Sequence, residues 1–466
     1  MMLLFVVLLA WAQRDADTGD SPRSILAFRR ESWLSAYREW DAQYRNGLGF
    51  SDTWDSGTLG WGESRFLRNY MLAYAVSGSR YWLDKVQDHF DRILSHATDP
   101  DGDGFLGWQD EKYSVGVLRV VRSVDAEGLT LEPTLQRPYV NHGGEKVTGH
   151  RYRISLPAAD RLQVADLTTD KVLHEAPYSG ESVITVIPGG RFQLKGKGRT
   201  GAQFEIETTA PNRIPYVVHE GMLTYPVALW AETVLGDEEL KRIYGAKAKM
   251  YLHFLARHLL DKWEGRWQEF PDGTGAYRFT DDPTERFPGY LLPHNQYLAL
   301  GRTWLVLQSI SDFPYRERCR DKAVKMARYF RKHLRERDGC FVWNYWDPAP
   351  GEDVRRYVED TSHGSIDVGF AVEACRRGVV FTDADLIRLA RTYTGVMWNG
   401  SLTESRVAGR VDGTGEERVY WWEWCALALW EPKVWDIVWA MARQQRYPVS
   451  MAPMLLWVAQ EINGGG

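Results

Sequence analysis

Five times along the chain, a helical stretch that is apolar nearly all round is followed by a tight turn and a helix whose charges lie on one face. The pair "HEGMLTYPVALWAETVLGD" and "EELKRIYGAKAKMYLHFLARHLLDKW" (219–263) is typical; the others begin near 60, 293, 362 and 419. A helix that is apolar all round can only be buried, whereas an amphipathic one covers it from the solvent side. The pairs recur at roughly 70 residues, which is the mark of a repeated architecture. Helices near 25–45 and 450–463 supply a sixth pair from the two ends of the chain.

Inner helix, turn, outer helix and long return loop resemble the six-hairpin (α/α)6 toroid of many glycoside hydrolases and polysaccharide lyases. The resemblance covers residues 20–112 and 214–463. The expected class is therefore mainly α, with a small β-sandwich inserted at 113–213. There "YSVGVLRVVRSV", "HRYRISL", "RLQVADL", "SVITVI", "RFQLKG" and "AQFEIETT" alternate between turn residues. The insertion carries no obvious catalytic cluster; support, a rim over one end of the helices, or carbohydrate binding are its candidate roles.

Net charge is 57 − 62 = −5 without a basic run, which argues against nucleic acid as a partner. The 21 Trp and 23 Tyr are far more than ordinary usage. Such rings either fill helix interfaces or stack on the apolar face of a sugar. The opening "MMLLFVVLLAWAQRD" reads as an export signal over 1–12 with an A-x-A site at Ala10–Ala12, although no Lys or Arg precedes the apolar run. An apolar N-terminal helix is the alternative. The signal implies a secreted or periplasmic protein, and no later stretch reaches the ~20 apolar residues of a membrane span. Cys319, Cys340, Cys375 and Cys425 lack a CxxC pattern, so no zinc site is expected. Export permits disulfides, but buried free thiols suit their spacing better.

In the toroids that the repeat resembles, the starts of the inner helices and the long loops form the substrate cleft. Here those starts carry Trp61 and Glu63; His219 and Glu220; His294, Asn295, Gln296 and Tyr297; Glu359, Asp360, Thr361, Ser362 and His363; and Tyr420, Trp421, Trp422 and Glu423. In "VEDTSHGSIDVGF" (358–370), Thr361 or Ser362 is the expected helix cap, with Asp367 favoured early in the helix by the macrodipole. His363 is left over for the cleft. The loops add Glu269, Arg286, Tyr290, Trp343, Tyr345, Trp346, Arg355 and Arg356.

This set suits β-elimination at a uronic acid. A base removes the C5 proton, an acid protonates the leaving oxygen, and a polar or cationic group neutralises the carboxylate. His363 and His294 are the expected bases, with His219 beside them, and Tyr290 or Tyr297 the acid. Asn295 and Arg286 would neutralise the carboxylate. Gln296, Glu220, Glu359, Trp61, Trp346, Trp421 and Trp422 would bind a uronate-containing poly- or oligosaccharide. "PHNQY" loosely resembles the Asn-His helix motif of toroid alginate lyases, with the order of the two residues changed. The expected function is thus a secreted polysaccharide lyase that needs no cofactor for chemistry.

Glycoside hydrolysis by two of Glu63, Glu220, Glu269, Glu359, Asp360 and Glu423 is the runner-up. A uronyl C5-epimerase and a non-catalytic glycan-binding protein remain open. A metal held by His219, His294 and His363 lacks any short-spaced ligand pair. Separately, "DPDGDGFLGWQD" (99–110) places Asp99, Asp101, Asp103, Gly104 and Asp110 at the spacing of a calcium loop. The expectation there is a structural Ca2+; the alternative is a solvated Asp/Gly turn.

Overall fold

The structure is a computed structural model that describes residues 22–135, 146–446 and 448–464. The expected export signal at 1–12 lies outside these residues. The chain divides into two compact units. One is helical and comprises the described parts of Met1–Trp108, Tyr216–Arg278 and Tyr290–Gly466. The other comprises those of Gln109–Pro215 and Phe279–Gly289.

The helical unit contains α1 (Pro22–Gln43), α2 (Ser64–Ser77), α3 (Arg80–Ser95), α4 (Val217–Gly236), α5 (Glu238–Leu255), α6 (His294–Leu307) and α7 (Arg316–His333). It continues with α8 (Thr361–Arg376), α9 (Asp383–Arg391), a 3-10 segment at Trp422–Leu429, α10 (Pro432–Gln444) and α11 (Ala452–Gly464). Within each pair the two members pack on each other, as in α4 with α5 and α6 with α7. The first members also touch in sequence: α2 on α4, α4 on α6, α6 on α8, α8 on the 3-10 segment, that segment on α11, and α11 on α2.

Local chemistry sets the ends. Asp237 caps α5 by accepting from Leu240 N at 2.9 Å. Thr382 and Asp385 form a reciprocal capping box on α9. Gly78 closes α2 in the left-handed region at φ 67°. Helices α4 and α6 approach closely at Gly221. A Cβ there would lie 2.3 Å from the backbone nitrogen of Leu300, so only glycine admits this approach.

The second unit is antiparallel β. Strands β1 (Val117–Val124), β2 (Leu129–Leu135), β3 (Arg151–Ala158), β4 (Arg161–Asp166), β5 (Lys171–Pro177), β6 (Glu181–Ile184), β7 (Arg191–Gly196) and β8 (Gln203–Thr209) form two sheets. Their orders are β1-β8-β3-β4-β5 and β2-β7-β6. Alternate residues of both sheets, including Ile154, Leu162, Phe192, Leu194 and Ile206, fill one core. The sequence pattern misses β2, which contains Pro133, and the exposed edge strand β5.

The expectation of a mainly-α (α/α)6 toroid is overturned. Among the described residues the chain carries twelve strands in four antiparallel sheets besides its helices, which makes it a mixed α and β structure. Two of those sheets are hairpins inside the helical unit: β9 (Trp267–Glu269) with β10 (Gly275–Tyr277), and β11 (Arg335–Arg337) with β12 (Cys340–Val342). Strands of three residues are too short for a period of two to register in the sequence. The helix expected at "YWWEWCALALW" is a 3-10 segment. None of the four cysteines is paired. Among the described residues no helix is long and apolar enough to cross a membrane.

The α4–α6 contact gives a paired test by thermal unfolding. Gly221→Ala should lower Tm, with a destabilisation of about 1–3 kcal/mol from overpacking against backbone. Gly236→Ala, where a Cβ meets nothing within 4 Å, should leave Tm unchanged or slightly raised. Equal Tm values for the two variants would contradict the close approach.

Candidate functional site

The mouth of α8 is organised by Asp360. One of its oxygens accepts from Ser362 N at 2.8 Å and from His363 N at 3.0 Å, which makes Asp360 the N-cap. This corrects the expected caps. Thr361 instead donates its hydroxyl to Ala408 O, and the Ser362 hydroxyl donates to Asp360. The other Asp360 oxygen lies 2.5 Å from His363 Nδ1. Burial works to raise the Asp360 carboxyl, yet the bonds from His363 and Ser362 hold it well below the usual carboxylate range. An ionised carboxylate only accepts, so Nδ1 carries the proton and Nε2 presents its lone pair. Nε2 has no hydrogen-bond partner among the described residues, and the His363 side chain is 35% exposed.

Aromatic rings flank this imidazole. Trp61 stands edge-on with its centroid 6.2 Å away, and Tyr345 lies at 5.3 Å, itself stacked on Tyr357. Trp61 is presented by a π-helical turn, Leu59–Glu63, that leads into α2. Gly60 in that turn packs directly on His219, where a Cβ would come within 2.6 Å of its Cα. His219 is 2% exposed; its Nδ1 pairs with Ser56 Oγ at 2.9 Å and its ring meets Trp61 at 5.5 Å. It is therefore buried against Trp61 and Ser56. Gln296 neighbours Tyr345, whose phenol is pushed well above its ordinary value by burial. Arg65 lies over the Trp422 ring and close to Tyr420, and Glu423 N donates to Ser365 Oγ on α8 at 3.1 Å.

Behind the histidine sits a buried carboxyl pair. Glu359 and Asp367 are buried neighbours that raise each other's cost of ionising, and Asp367 accepts from Trp343 Nε1 at 2.9 Å. Two carboxyls buried side by side resist carrying two negative charges. Burial and the neighbouring Asp367 push Glu359 well above the usual range, and burial raises Asp367 to about 7. Asp367 is thus a buried carboxyl held toward its neutral form and not a charge placed for the helix dipole.

Several expected site residues lie elsewhere. His294 is 1% exposed and saturated: the Tyr297 hydroxyl donates to Nδ1 at 2.6 Å, and Nε2 donates to Asp347 at 3.1 Å. Burial lowers the pKa of His294 against the pull of Asp347. The roles expected of His294 as base and Tyr297 as acid are therefore corrected to packing. Asn295 beside them is buried as well. Arg286 belongs to the β unit, and Tyr290 is a half-buried loop residue of the helical unit.

The candidate hydrolase acids are locked in pairs. Glu63 holds His89 at 2.6 Å; Glu220 holds Lys262 and Trp263 Nε1, each at 2.6 Å; Glu423 holds Arg302 at 2.8 Å. Glu269 is exposed and paired with Lys325. Trp346, Trp421 and Trp422 are buried, which removes them as open stacking platforms, while Trp61 is half-buried at the cluster. Among the described residues no group of ligating atoms unites His219, His294 and His363. Asp99, Asp101 and Asp103 do converge, with ligating oxygens within 4.8 Å of one another. Asp110, expected as their twelfth-position companion, lies in the β unit, where it accepts from Lys112 N at 2.7 Å. Arg65 has no place in the sequence pattern of the helix starts. It stands four residues after Trp61, so the helical period alone places it on the same face.

No family model matches the chain, and no curated protein matches it. Among solved structures, FlgL of Xanthomonas campestris aligns in two crystal forms. Identity is 14%, TM-scores are 0.12 and 0.13, and the alignments cover 44% and 43% of this chain and 78% of that one. The flagellar junction protein FlgL from Legionella pneumophila aligns at 9% identity and a TM-score of 0.12, over 49% of this chain and 79% of that one. Scores this low carry no argument about fold or function.

The carboxyl pair predicts a pH dependence. Both folded pKa values stand above the unfolded reference of about 4. Its stabilisation is complete below that pH and is lost as pH rises through about 7, the folded value of Asp367. Asp367→Asn keeps the Trp343 bond and removes the Asp367 part of this titration. Its Tm should fall less than that of the wild type between about pH 5 and about pH 8. An identical fall in both proteins would show that Asp367 does not titrate in this range.

Proposed function

We propose that the protein is a polysaccharide lyase that cleaves a uronate-containing glycan by β-elimination, with His363 as its base. The observation that carries this reading is the His363–Asp360 dyad at a half-exposed helix mouth, with Nε2 unpartnered and two aromatic rings beside it. Nε2 takes the C5 proton, the C5 electrons form the C4–C5 double bond, and the C4–O bond breaks toward the leaving sugar. Tyr345, which burial keeps protonated, supplies the proton to that oxygen. Arg65 and Gln296 are the groups placed to offset the substrate carboxylate. Asp360 acts through His363: it fixes the tautomer and steadies the imidazolium once the proton has moved. Trp61 offers the ring face for the sugar.

The hydrolase alternative needs two carboxyls facing one open space. Glu63, Glu220, Glu359 and Glu423 are buried and already bonded, and Asp360 is committed to the helix cap and His363. The lyase reading asks for nothing that these pairs withhold.

A panel of uronate polysaccharides, followed by ultraviolet absorbance of the unsaturated product with reducing ends assayed in parallel, tests the proposal. His363→Ala should cut turnover by roughly 10²-fold or more with Tm preserved. Asp360→Asn should cause a smaller loss, and His294→Ala should act mainly on stability. Reducing ends without absorbance, or full turnover in His363→Ala, would replace the lyase with a hydrolase or a binding protein.

A further inference from the structure

Three side chains outside the His363–Asp360 dyad converge from separate elements of the helical unit. His294 opens α6, His333 ends α7, and Asp347 lies in the return loop between β12 and α8. One ring nitrogen of each histidine and one Asp347 oxygen lie within 4.8 Å of one another. His294 and Asp347 are buried, and His333 is half-buried. The three are far apart in the sequence, so no short ligand motif announces them.

Each of the three is oriented from behind. His333 Nδ1 donates to Tyr329 O at 2.8 Å, one turn back in α7, which leaves the ring's lone pair on Nε2. That nitrogen has no hydrogen-bond partner among the described residues. His294 Nδ1 lies 2.6 Å from the Tyr297 hydroxyl, and its Nε2 lies 3.1 Å from Asp347 Oδ2. The other Asp347 oxygen accepts from Asn344 Nδ2 at 3.1 Å and faces Arg356 at 3.7 Å. Tyr329 holds the loop itself by donating its hydroxyl to Asp347 O at 2.9 Å. Metal-ligating histidines give their second N–H to a carbonyl or another oxygen, and ligating carboxylates are themselves hydrogen-bonded. A buried histidine–aspartate pair is complete without a second imidazole at its edge; a metal site is not.

We propose that His294 Nε2, His333 Nε2 and Asp347 Oδ2 bind a zinc ion. Two imidazoles and one carboxylate suit Zn2+, whereas Ca2+ and Mg2+ take oxygen ligands. Bonds of ordinary Zn–N and Zn–O length at a tetrahedral centre set neighbouring ligand atoms about 3.3 Å apart. His294 Nε2 and Asp347 Oδ2 already stand 3.1 Å apart. The ion takes the place of the proton that Nε2 donates to Asp347. The neutral ring then carries its proton on Nδ1, where the Tyr297 oxygen accepts it. Three protein ligands leave the fourth position to water. The ion ties the start of α6 and the end of α7 to the loop that carries Tyr345, whose carbonyl accepts from His294 N at 3.1 Å. The site is structural and independent of the lyase reading.

Isothermal titration of the metal-free full chain with zinc chloride tests this, with about a tenfold excess of calcium chloride present to fill oxygen-only sites. The wild type should bind one zinc ion and gain Tm with it. His333→Ala should weaken binding by roughly 100-fold or more, and Asn344→Ala, which only frees the outer Asp347 oxygen, by about tenfold. His363→Ala should bind as the wild type does. Cobalt(II) in place of zinc should give the visible absorption of a tetrahedral centre in the wild type and not in His333→Ala. Loss of zinc in His363→Ala with retention in His333→Ala would place the ion at the mouth of α8 and overturn the proposal. No zinc binding by the wild type, or binding that the calcium abolishes, would overturn it even where a variant folds poorly.

Discussion

The carboxylate of Asp360 performs two tasks at once. It terminates α8 by accepting two backbone N–H groups, and it fixes the protonated nitrogen of His363. The helix start supplies partial positive charge from its free N–H groups, which favours the ionised acid. The ionised acid in turn supports a neighbouring N–H donor. Placement of the imidazole therefore follows from helix capping, and the site is assembled by forces that the fold needs in any case. The rings of Trp61 and Tyr345 then bound the side of His363 that Asp360 does not occupy.

Around that point the helical unit carries an unusual number of buried charged groups. Glu63 with His89, Glu220 with Lys262 and Glu423 with Arg302 all lie inside or between helices. A buried ion is tolerated only when its partner and remaining hydrogen bonds are in place. Breaking one of these pairs strands the other charge, so each fixes how its two helices meet. The same reasoning explains why acids at helix starts do not identify a catalytic pair: most of them are committed to holding helices together.

The aromatic content divides in the same way. Trp108, Trp230, Trp304, Trp343, Trp424 and Trp435 are almost wholly buried and fill the spaces between helices. A large flat side chain with one N–H suits such a place when that N–H finds an acceptor, as Trp343 does in Asp367 and Trp424 in Thr361 O. Only a minority of the tryptophans stands open enough to meet a sugar, and Trp61 is the one beside the dyad.

The order and pairing of the helices were legible in the sequence, because burial on all sides and burial on one side leave different hydrophobic periods. Most strands of the β unit were legible for the same reason, through their period of two. Glu359, Asp360 and His363 could be singled out as titratable groups crowded at one helix mouth. Their roles could not, because residues close in sequence point in different directions once the helix turns: Glu359 goes inward to Asp367, and His363 outward to Trp61. Equivalent positions in the repeat likewise diverged. His294 found Tyr297 and Asp347 and was buried, whereas His363 found Asp360 and stayed at the surface. Tertiary structure made that choice, since partners drawn from other elements, and not the local pattern, decide whether a polar side chain is satisfied inside the protein or left facing solvent.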